Sequence, residues 1–103
     1  SRYRALSAYF LKHGTNYGID PTLLAAQGFQ ESRLDQSVRS HVGAIGVMQL
    51  LPTTAKDRNV GIPNIEEVEP NIEAGDKSFE EYLEESLEPD RFRWKRLAHP
   101  SET

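Results

Sequence analysis

Among the side chains that could take part in chemistry, the carboxyl group of Glu31 has the most suggestive surroundings. Glu31 follows an apolar stretch and precedes a polar loop that contains glycines. Its neighbours Ala25, Phe29 and Leu34 are apolar. A carboxyl group that such neighbours shield from water can stay protonated near neutral pH and donate its proton to a leaving oxygen. The pattern therefore indicates a candidate general acid.

A plainer interpretation makes Glu31 a solvated glutamate at a helix end, or one that is paired with Arg33 or Arg39. Spacing alone favours this alternative. Asp35 is the only other acidic residue between Glu31 and Asp57, and we expect it to be a turn or cap residue. The sequence near Glu31 therefore offers one candidate carboxyl group and not a pair.

The rest of the composition excludes several other kinds of site. The chain has no cysteine, which removes disulfides, thiolate nucleophiles and thiolate metal sites together. His13, His41 and His99 lack the spacing of metal ligands, and we interpret His41 as a surface residue. The sequence contains neither a phosphate-binding loop nor a Ser/His/Asp arrangement. We therefore expect no metal and no cofactor.

The charge pattern argues against nucleic acid as a partner. The net charge is −4; residues 1–63 carry a small positive excess, whereas residues 64–90 carry many acidic side chains against Lys77 alone. Such an excess, with no basic stripe, is too small for a nucleic-acid footprint. We interpret the acidic run as a solvated helix face. No apolar run approaches the about 18–20 residues of a membrane span, and no signal peptide opens the sequence.

Helical spacing of the apolar residues predicts one domain over residues 1–103 that is all or nearly all α, with a single modest core. A polar loop with short turns should occupy residues 35–47, and no alternating strand pattern is present. We expect helices over 3–13, ended by Gly14; from Asp20-Pro21 to about Ser32; from Thr53 or Thr54 to Arg58; from Glu69-Pro70 to Pro89; and after Asp90, with Phe92, Trp94 and Leu97.

Residues 30–55 contain a dense motif that resembles the signature of the lytic transglycosylases of the goose-type and SLT kind. The family pattern is Glu-Ser, a spacer, Ser-x-x-Gly-Ala-x-Gly-Leu-Met-Gln, an apolar pair and Pro-x-Thr-Ala. Only Val47 departs from it, where the family usually has Leu. The residues in register are Glu31-Ser32, Ser40, Gly43-Ala44, Gly46, Met48-Gln49, Pro52, Thr54 and Ala55.

The resemblance extends over about residues 15–83. Residues 17–26 resemble the start of the family's catalytic helix, and residues 71–75 resemble its Asn-Ile-x-x-Gly helix start. Within the family, the sequence of this stretch most resembles the membrane-bound F-type transglycosylases. The resemblance implies a lysozyme-like, all-α domain in the bacterial cell envelope, in the periplasm or associated with the outer membrane, as a mature or excised form. Residues 84–103 then form a divergent or truncated tail.

The resemblance also implies a reaction. Glu31 would protonate the glycosidic oxygen between N-acetylmuramic acid and N-acetylglucosamine in peptidoglycan glycan strands. It would then act as base toward the C6 hydroxyl of the muramic residue, which closes a 1,6-anhydro ring. Because no water attacks, this reaction needs no second carboxylate.

Four further residues are implied to bind substrate. Ser40 would hold the carboxyl group or a substrate group, although a turn serine that bonds its own backbone fits equally well. Met48 would pack on a sugar ring, although without the motif it would be assigned to the core. Gln49 would exchange hydrogen bonds with sugar amides. Tyr82 would fill the space of a family tyrosine that Ser78 replaces here.

The sequence departs from the family after this point. The family's Ala-Tyr-Asn-Ala-Gly helix, whose tyrosine lines the cleft opposite the acid, has no counterpart here. An exposed apolar face would then remain in the C-terminal region, open to a partner protein or to self-association. Two functions follow: an active lytic transglycosylase, or a catalytically weak or inactive module of the same fold that binds peptidoglycan or a partner. A plain helical interaction domain with a chance motif is a third.

Overall fold

The structure, a computed structural model, describes the backbone of residues 2–91 and the side chains of residues 3–80. Its four helices are α1 (Arg2–Tyr17), α2 (Pro21–Ser32), α3 (Pro52–Lys56) and α4 (Val68–Arg91). This part of the chain holds no strand, only isolated bridges between residues 39 and 45 and between residues 45 and 50. The prediction of an all-α domain is confirmed. None of the helices described is long and apolar enough to cross a membrane.

Helix α1 continues past Gly14 to Tyr17, so the prediction that Gly14 ends it is wrong. The turn comes four residues later, at Gly18, whose φ of 70° suits glycine. Ile19 N donates to Gly14 O at 2.9 Å, and Gly18 N donates to Thr15 O at 3.3 Å. These two bonds close the helix end in the manner of a Schellman motif. A Cβ on Gly14 would lie 2.8 Å from Ile19 O, so Gly14 permits the chain to fold back closely.

Helix α2 begins and ends where the sequence predicts. The Asp20 side chain accepts a hydrogen bond from Thr22 N at 2.8 Å, and Pro21 occupies the first turn. The helix ends at Ser32, and Arg33 then takes a left-handed conformation with φ of 56°. Glu31 therefore lies in the last turn, beside the point where the chain turns into the loop.

The bounds of α3 and α4 also differ from the prediction. Helix α3 begins at Pro52, before both threonines, with Leu51 as an extended N-cap residue. Helix α4 runs through Pro89 to Arg91, so Pro89 does not end it. A proline inside a helix removes one backbone hydrogen bond, which can kink the helix as well as break it. The predicted short helix with Phe92, Trp94 and Leu97 lies outside the described residues, as does most of the tail expected to attract a partner.

The core forms where α1 packs against both α2 and α4 and where the loop of residues 36–50 fills the space between α2 and α4. Two helical glycines make this packing possible. A Cβ on Gly75 would lie 2.5 Å from Met48 Cγ, and one on Gly28 would lie 3.3 Å from Met48 Sδ. The largest fully buried apolar side chains are Leu24, Val47, Val60, Ile65 and Ile72.

Candidate active site

The Glu31 carboxylate is exposed at the end of α2, and Oε1 accepts a hydrogen bond from Gln27 Nε2 at 3.0 Å. The expectation that apolar neighbours shield it from water is wrong for the described residues. On a helix Phe29 lies about 200° around the axis from Glu31, and its own ring is 53% exposed. Only Leu34 among the three neighbours lies beyond the helix, and it turns toward Gly28 and the core.

The arginines near Glu31 are engaged elsewhere. The Arg33 guanidinium lies 5.7 Å from the centre of the Phe29 ring. Arg39 Nη1 donates to the carbonyl oxygens of Gln36 and Val38 at 2.7 and 3.0 Å. Of the plainer alternatives for Glu31, the described residues therefore support the solvated helix-end glutamate and not the ion pair.

Asp35 behaves as the predicted turn residue. Its Oδ1 accepts from Ser37 N at 2.9 Å and from Ser37 Oγ at 2.6 Å. These bonds fix the first turn of the loop that follows α2. The prediction for Asp35 is confirmed, and this carboxylate is committed to holding the backbone.

Ser32, the residue after Glu31, connects α2 to the loop. Its buried Oγ lies 2.8 Å from Val47 O and 3.1 Å from Gly28 O, and it accepts from Asp35 N at 3.2 Å. A hydroxyl group can donate one hydrogen bond and accept two, so its single proton and one of its two acceptor positions are used inside the protein. The Glu-Ser pair of the motif therefore combines an exposed carboxylate with a buried hydroxyl that fixes its position relative to the loop.

Two amide side chains, Gln36 and Asn71, hold the middle of the loop. Gln36 Oε1 accepts from Val47 N at 3.0 Å, and its Nε2 donates to Ile65 O at 2.9 Å. Asn71, on α4 and fully buried, accepts from Met48 N at 2.8 Å and donates to the carbonyl oxygens of residues 45 and 65. Asn71 lies in the recognised Asn-Ile motif, whereas no motif signal pointed to Gln36.

Gly46 lies between these two amides. Its φ is 80°, and a Cβ there would lie 2.5 Å from both Asn71 Nδ2 and Gln36 Oε1. Only glycine satisfies both the backbone conformation and the space. The motif glycine therefore lets the side-chain amides reach the loop backbone.

The structure uses Ser40 as a turn residue. Its Oγ accepts from Ala44 N at 3.0 Å, and its backbone N–H donates to Ala44 O at the same distance. Both bonds close the turn at residues 40–44. This is the turn alternative left open by the sequence; a contact of Ser40 with substrate stays a prediction.

Met48 and Gln49 follow Gly46 at the end of the loop. The Met48 side chain is only 7% exposed and contacts Gly75. Gln49, half-buried with φ of 48°, donates through Nε2 to the carbonyl oxygens of Val38 and Gly46 at 3.0 and 2.8 Å. Both amide hydrogens are thereby used, which leaves Oε1 to accept from a ligand.

Tyr82 lies on α4, but its side chain lies outside the described residues. Its contact with substrate, like those of Met48 and Gln49, therefore stays a prediction. Across the same described residues, no group of three His, Cys, Asp or Glu side chains is placed to hold a metal ion.

A family model of the transglycosylase SLT domain matches residues 8–98. The chain belongs to this family. Its all-α architecture is consistent with the lysozyme-like fold of the SLT domain, as the resemblance implied.

Named relatives agree with this assignment. Membrane-bound lytic murein transglycosylase F 1 of Alkalilimnicola ehrlichii is 35% identical over 100 residues, which is 94% of this chain and 19% of that protein. The F protein of Pseudomonas putida is 38% identical over 95 residues, covering 84% of this chain and 19% of the relative. A transglycosylase of Enterobacteria phage PRD1 is 38% identical over 68 residues, covering 66% and 25%. The chain thus spans about a fifth to a quarter of these relatives.

This SLT domain also contains a partly buried group of charges between α1 and α4. Buried His13 lies 3.3 Å from Glu69 Oε1, which also accepts from Lys12 Nζ at 3.0 Å. The Lys12 bond lowers the pKa of Glu69. Tyr17 OH donates to Glu73 Oε2 at 2.9 Å, and burial, followed by this bond, raises the pKa of Tyr17 to about 12. The interpretation of the acidic run as a solvated face is therefore wrong for this part of α4.

Asp76 is the most buried member of that group. It is fully buried, and neither carboxylate oxygen has a hydrogen-bond partner among the described residues. Burial, and then the charge of Glu73, raises its pKa to about 8. Asp76 is therefore mostly protonated at neutral pH.

An open pocket of about 420 Å³ lies beside this group, at the start of α4. Its walls are Tyr9, residues 67–70 and Glu73. Neither Glu31 nor the loop of residues 36–50 (the motif loop) contributes to it, so this pocket is separate from the candidate catalytic carboxylate.

Proposed function

We propose that this SLT domain is a lytic transglycosylase that cleaves the β-1,4 bond between N-acetylmuramic acid and N-acetylglucosamine in peptidoglycan, with Glu31 as acid and then base. The observation that carries the proposal is the placement of Glu31. Its carboxylate is exposed at the end of α2, directly before the buried hydroxyl of Ser32 that secures the motif loop. A substrate on the loop surface can therefore reach the carboxylate.

The reaction needs one carboxyl group used twice. Protonated Glu31 gives its proton to the glycosidic oxygen, and the bond from that oxygen to C1 of the muramic residue breaks. The C6 hydroxyl oxygen then bonds to C1, and the Glu31 carboxylate takes the hydroxyl proton. The acid is regenerated, the product carries a 1,6-anhydro ring, and no water is consumed. The commitment of Asp35 to Ser37 supports a mechanism with one carboxyl group.

The loop supplies the groups proposed to bind the glycan. Gln49 Oε1 can accept from a substrate N-acetyl N–H, because Nε2 already donates to two carbonyl oxygens. Ser40 stands at the turn of residues 40–44 and offers its hydroxyl hydrogen. Met48, whose side chain also packs against Gly75, is proposed to contact a sugar ring, and so is Tyr82 on α4.

A location in the bacterial envelope follows from the proposed substrate. Peptidoglycan glycan strands are the proposed partner, and the names of the relatives as membrane-bound murein transglycosylases support that placement. Association with a further protein or a second copy through the C-terminal region stays a prediction.

Purified peptidoglycan provides the test. We expect the chain to release muropeptides with 1,6-anhydro ends, which mass spectrometry detects. We expect Glu31→Gln to reduce this release at least about a hundredfold while the variant stays folded. Glu66→Gln is the matched control, since Glu66 is an exposed glutamate before α4. It should retain full activity.

Three results would contradict the proposal in different ways. Folded protein that sediments with sacculi but releases nothing would favour the binding module. Reducing ends made by water would make the chain a lysozyme. An unchanged rate in Glu31→Gln would remove Glu31 from its role.

A further inference from the structure

Gln27 lies one helical turn before Glu31 on the same face of α2. Its Nε2 donates to Glu31 Oε1 at 3.0 Å. Among residues 3–80, it is the only hydrogen bond that the Glu31 carboxylate accepts. Gln27 is half-buried, whereas Glu31 is exposed. The amide is therefore the better-anchored member of the pair.

The partner of Glu31 is neutral, although cationic side chains are close in the sequence. Arg33 lies over the Phe29 ring, and Arg39 donates to two backbone carbonyl oxygens. An arginine beside Glu31 would hold it in the ionised form and so oppose its action as an acid. An amide N–H orients the carboxyl group without adding a charge.

We propose that Gln27 is a positioning residue for Glu31, an inference that rests on the proposed function. The bond from Gln27 assigns different tasks to the two carboxyl oxygens. Oε1 accepts from the amide, and Oε2 carries the proton toward the glycosidic oxygen. When that proton leaves, Oε1 already accepts a hydrogen bond, which strengthens as negative charge develops on the carboxylate.

The test compares Gln27→Met with Gln30→Met in the 103-residue chain. Methionine keeps the length of glutamine but cannot donate. Gln30 is exposed and adjacent to Glu31, so its variant is the matched control. The measurement is kcat and KM for release of 1,6-anhydro products from uncrosslinked glycan strands. For Gln27→Met we expect kcat to fall about three- to tenfold with KM and Tm unchanged, and for Gln30→Met we expect kcat within about twofold of the unmodified chain.

Gln27→Lys gives a second, independent measurement if Gln27→Met fails to fold. Lysine keeps a donor near Oε1 but adds a charge, which favours the ionised carboxylate. We expect its activity optimum to move to lower pH. A purely structural role for residue 27 would leave the pH profile in place.

The outcomes separate this inference from the proposed function. An inactive unmodified chain would overturn both. An active chain in which Gln27→Met keeps its kcat, in which Gln30→Met loses as much, or in which Gln27→Lys keeps its pH optimum would overturn the role of Gln27 alone.

Discussion

Asn71 on α4 accepts a hydrogen bond from the backbone N–H of Met48, 23 residues earlier, at 2.8 Å. The same side chain donates to two carbonyl oxygens, Ile45 O and Ile65 O, at 2.8 and 2.9 Å. One buried amide thereby joins the motif loop, the segment before α4 and α4 itself. The position of Glu31 relative to the loop depends on this junction, because Ser32 is bonded to Val47, next to Met48.

Asn71→Ala should destabilise the domain strongly. The substitution leaves the buried N–H of Met48 without its acceptor and removes one of the two donors from each of the carbonyl oxygens of Ile45 and Ile65. We expect a loss of about 2–4 kcal/mol in the free energy of unfolding. Urea denaturation followed by circular dichroism measures it. Asn64→Ala, at an exposed asparagine, is the control and should change the free energy by less than about 0.5 kcal/mol. Equal losses in both variants would contradict the role of the buried amide.

Gly46→Ala should damage the domain more than Gly43→Ala. Both glycines have positive φ, 80° and 93°, so both variants incur backbone strain of about 1 kcal/mol. Only at Gly46 does the new Cβ collide with the Gln36 and Asn71 amides; at Gly43 nothing lies within 4 Å. Thermal unfolding of the two variants separates the collision from the strain. If the two variants have the same Tm, the collision at Gly46 does not contribute to the loss of stability.

Gly75→Ala and Gly28→Ala form another matched pair, since both glycines lie inside helices and face Met48. At Gly75 the added Cβ would lie 2.5 Å from Met48 Cγ, whereas at Gly28 its nearest contacts are at 3.2 Å. We expect Gly75→Ala to destabilise by about 1–3 kcal/mol. For Gly28→Ala the gain in helix propensity, about 1 kcal/mol, should offset most of the tight contact. Chemical denaturation that ranks Gly28→Ala as the less stable variant would show that Met48 is mobile.

Asp76 makes stability depend on pH. Its pKa is raised from 3.8 to about 8 in the folded chain, so between these values the folded state holds a proton that the unfolded state has released. The free energy of unfolding therefore falls as pH rises from about 4 to 8, by at most about 1.4 kcal/mol per pH unit. The contribution of the Asp76 proton to the free energy of unfolding is fully present below pH 3.8 and is lost as pH rises through about 8.

Asp76→Asn removes that titration while keeping the shape of the side chain. We expect the variant to gain stability over the unmodified chain at pH 8 and to gain less at pH 5, as measured by Tm at both values. The titratable groups that interact with Asp76 are Glu73 on α4 and Tyr17 on α1. Tyr17→Phe is the control, because its phenol does not titrate in this range. A stability difference between Asp76→Asn and the unmodified chain that is the same at both pH values would exclude Asp76 as the source.

The features that the sequence predicted well depend on local signals. The start of α2 follows from Asp20, which caps the helix, and from Pro21, which occupies its first turn; both act on the backbone next to them. The turn role of Asp35 is equally local. Gly14 and Pro89 were both wrongly predicted to end a helix. Gly14 lies within α1 and permits the close approach of Ile19 O. Pro89 lies within α4, which continues to Arg91.

The site was harder to predict because its contacts are distant in the sequence. Gln36 bonds to the backbone 11 and 29 residues away, and such partners leave no periodic signal. The exposure of Glu31 agrees with the solvated helix-end glutamate that its spacing favoured. The expected shielding failed because apolar residues that are close in sequence lie on other faces of the helix. The burial of Asp76 was missed because an acidic run with helical spacing usually faces water, and the packing of α4 into the core reverses this at Asp76.

Side chains, and not strand pairing, support the motif loop, because the described part of the chain forms only two isolated bridges there. Gln36, Asn71 and Ser32 hold its backbone from the inside. His41 and Val42, at the tip of the turn, are exposed and lie outside this support. Under the proposed function, we therefore expect substitutions at the tip to change glycan preference without moving Glu31 or the side chains that hold the loop, so that specificity and catalysis would evolve separately on this domain.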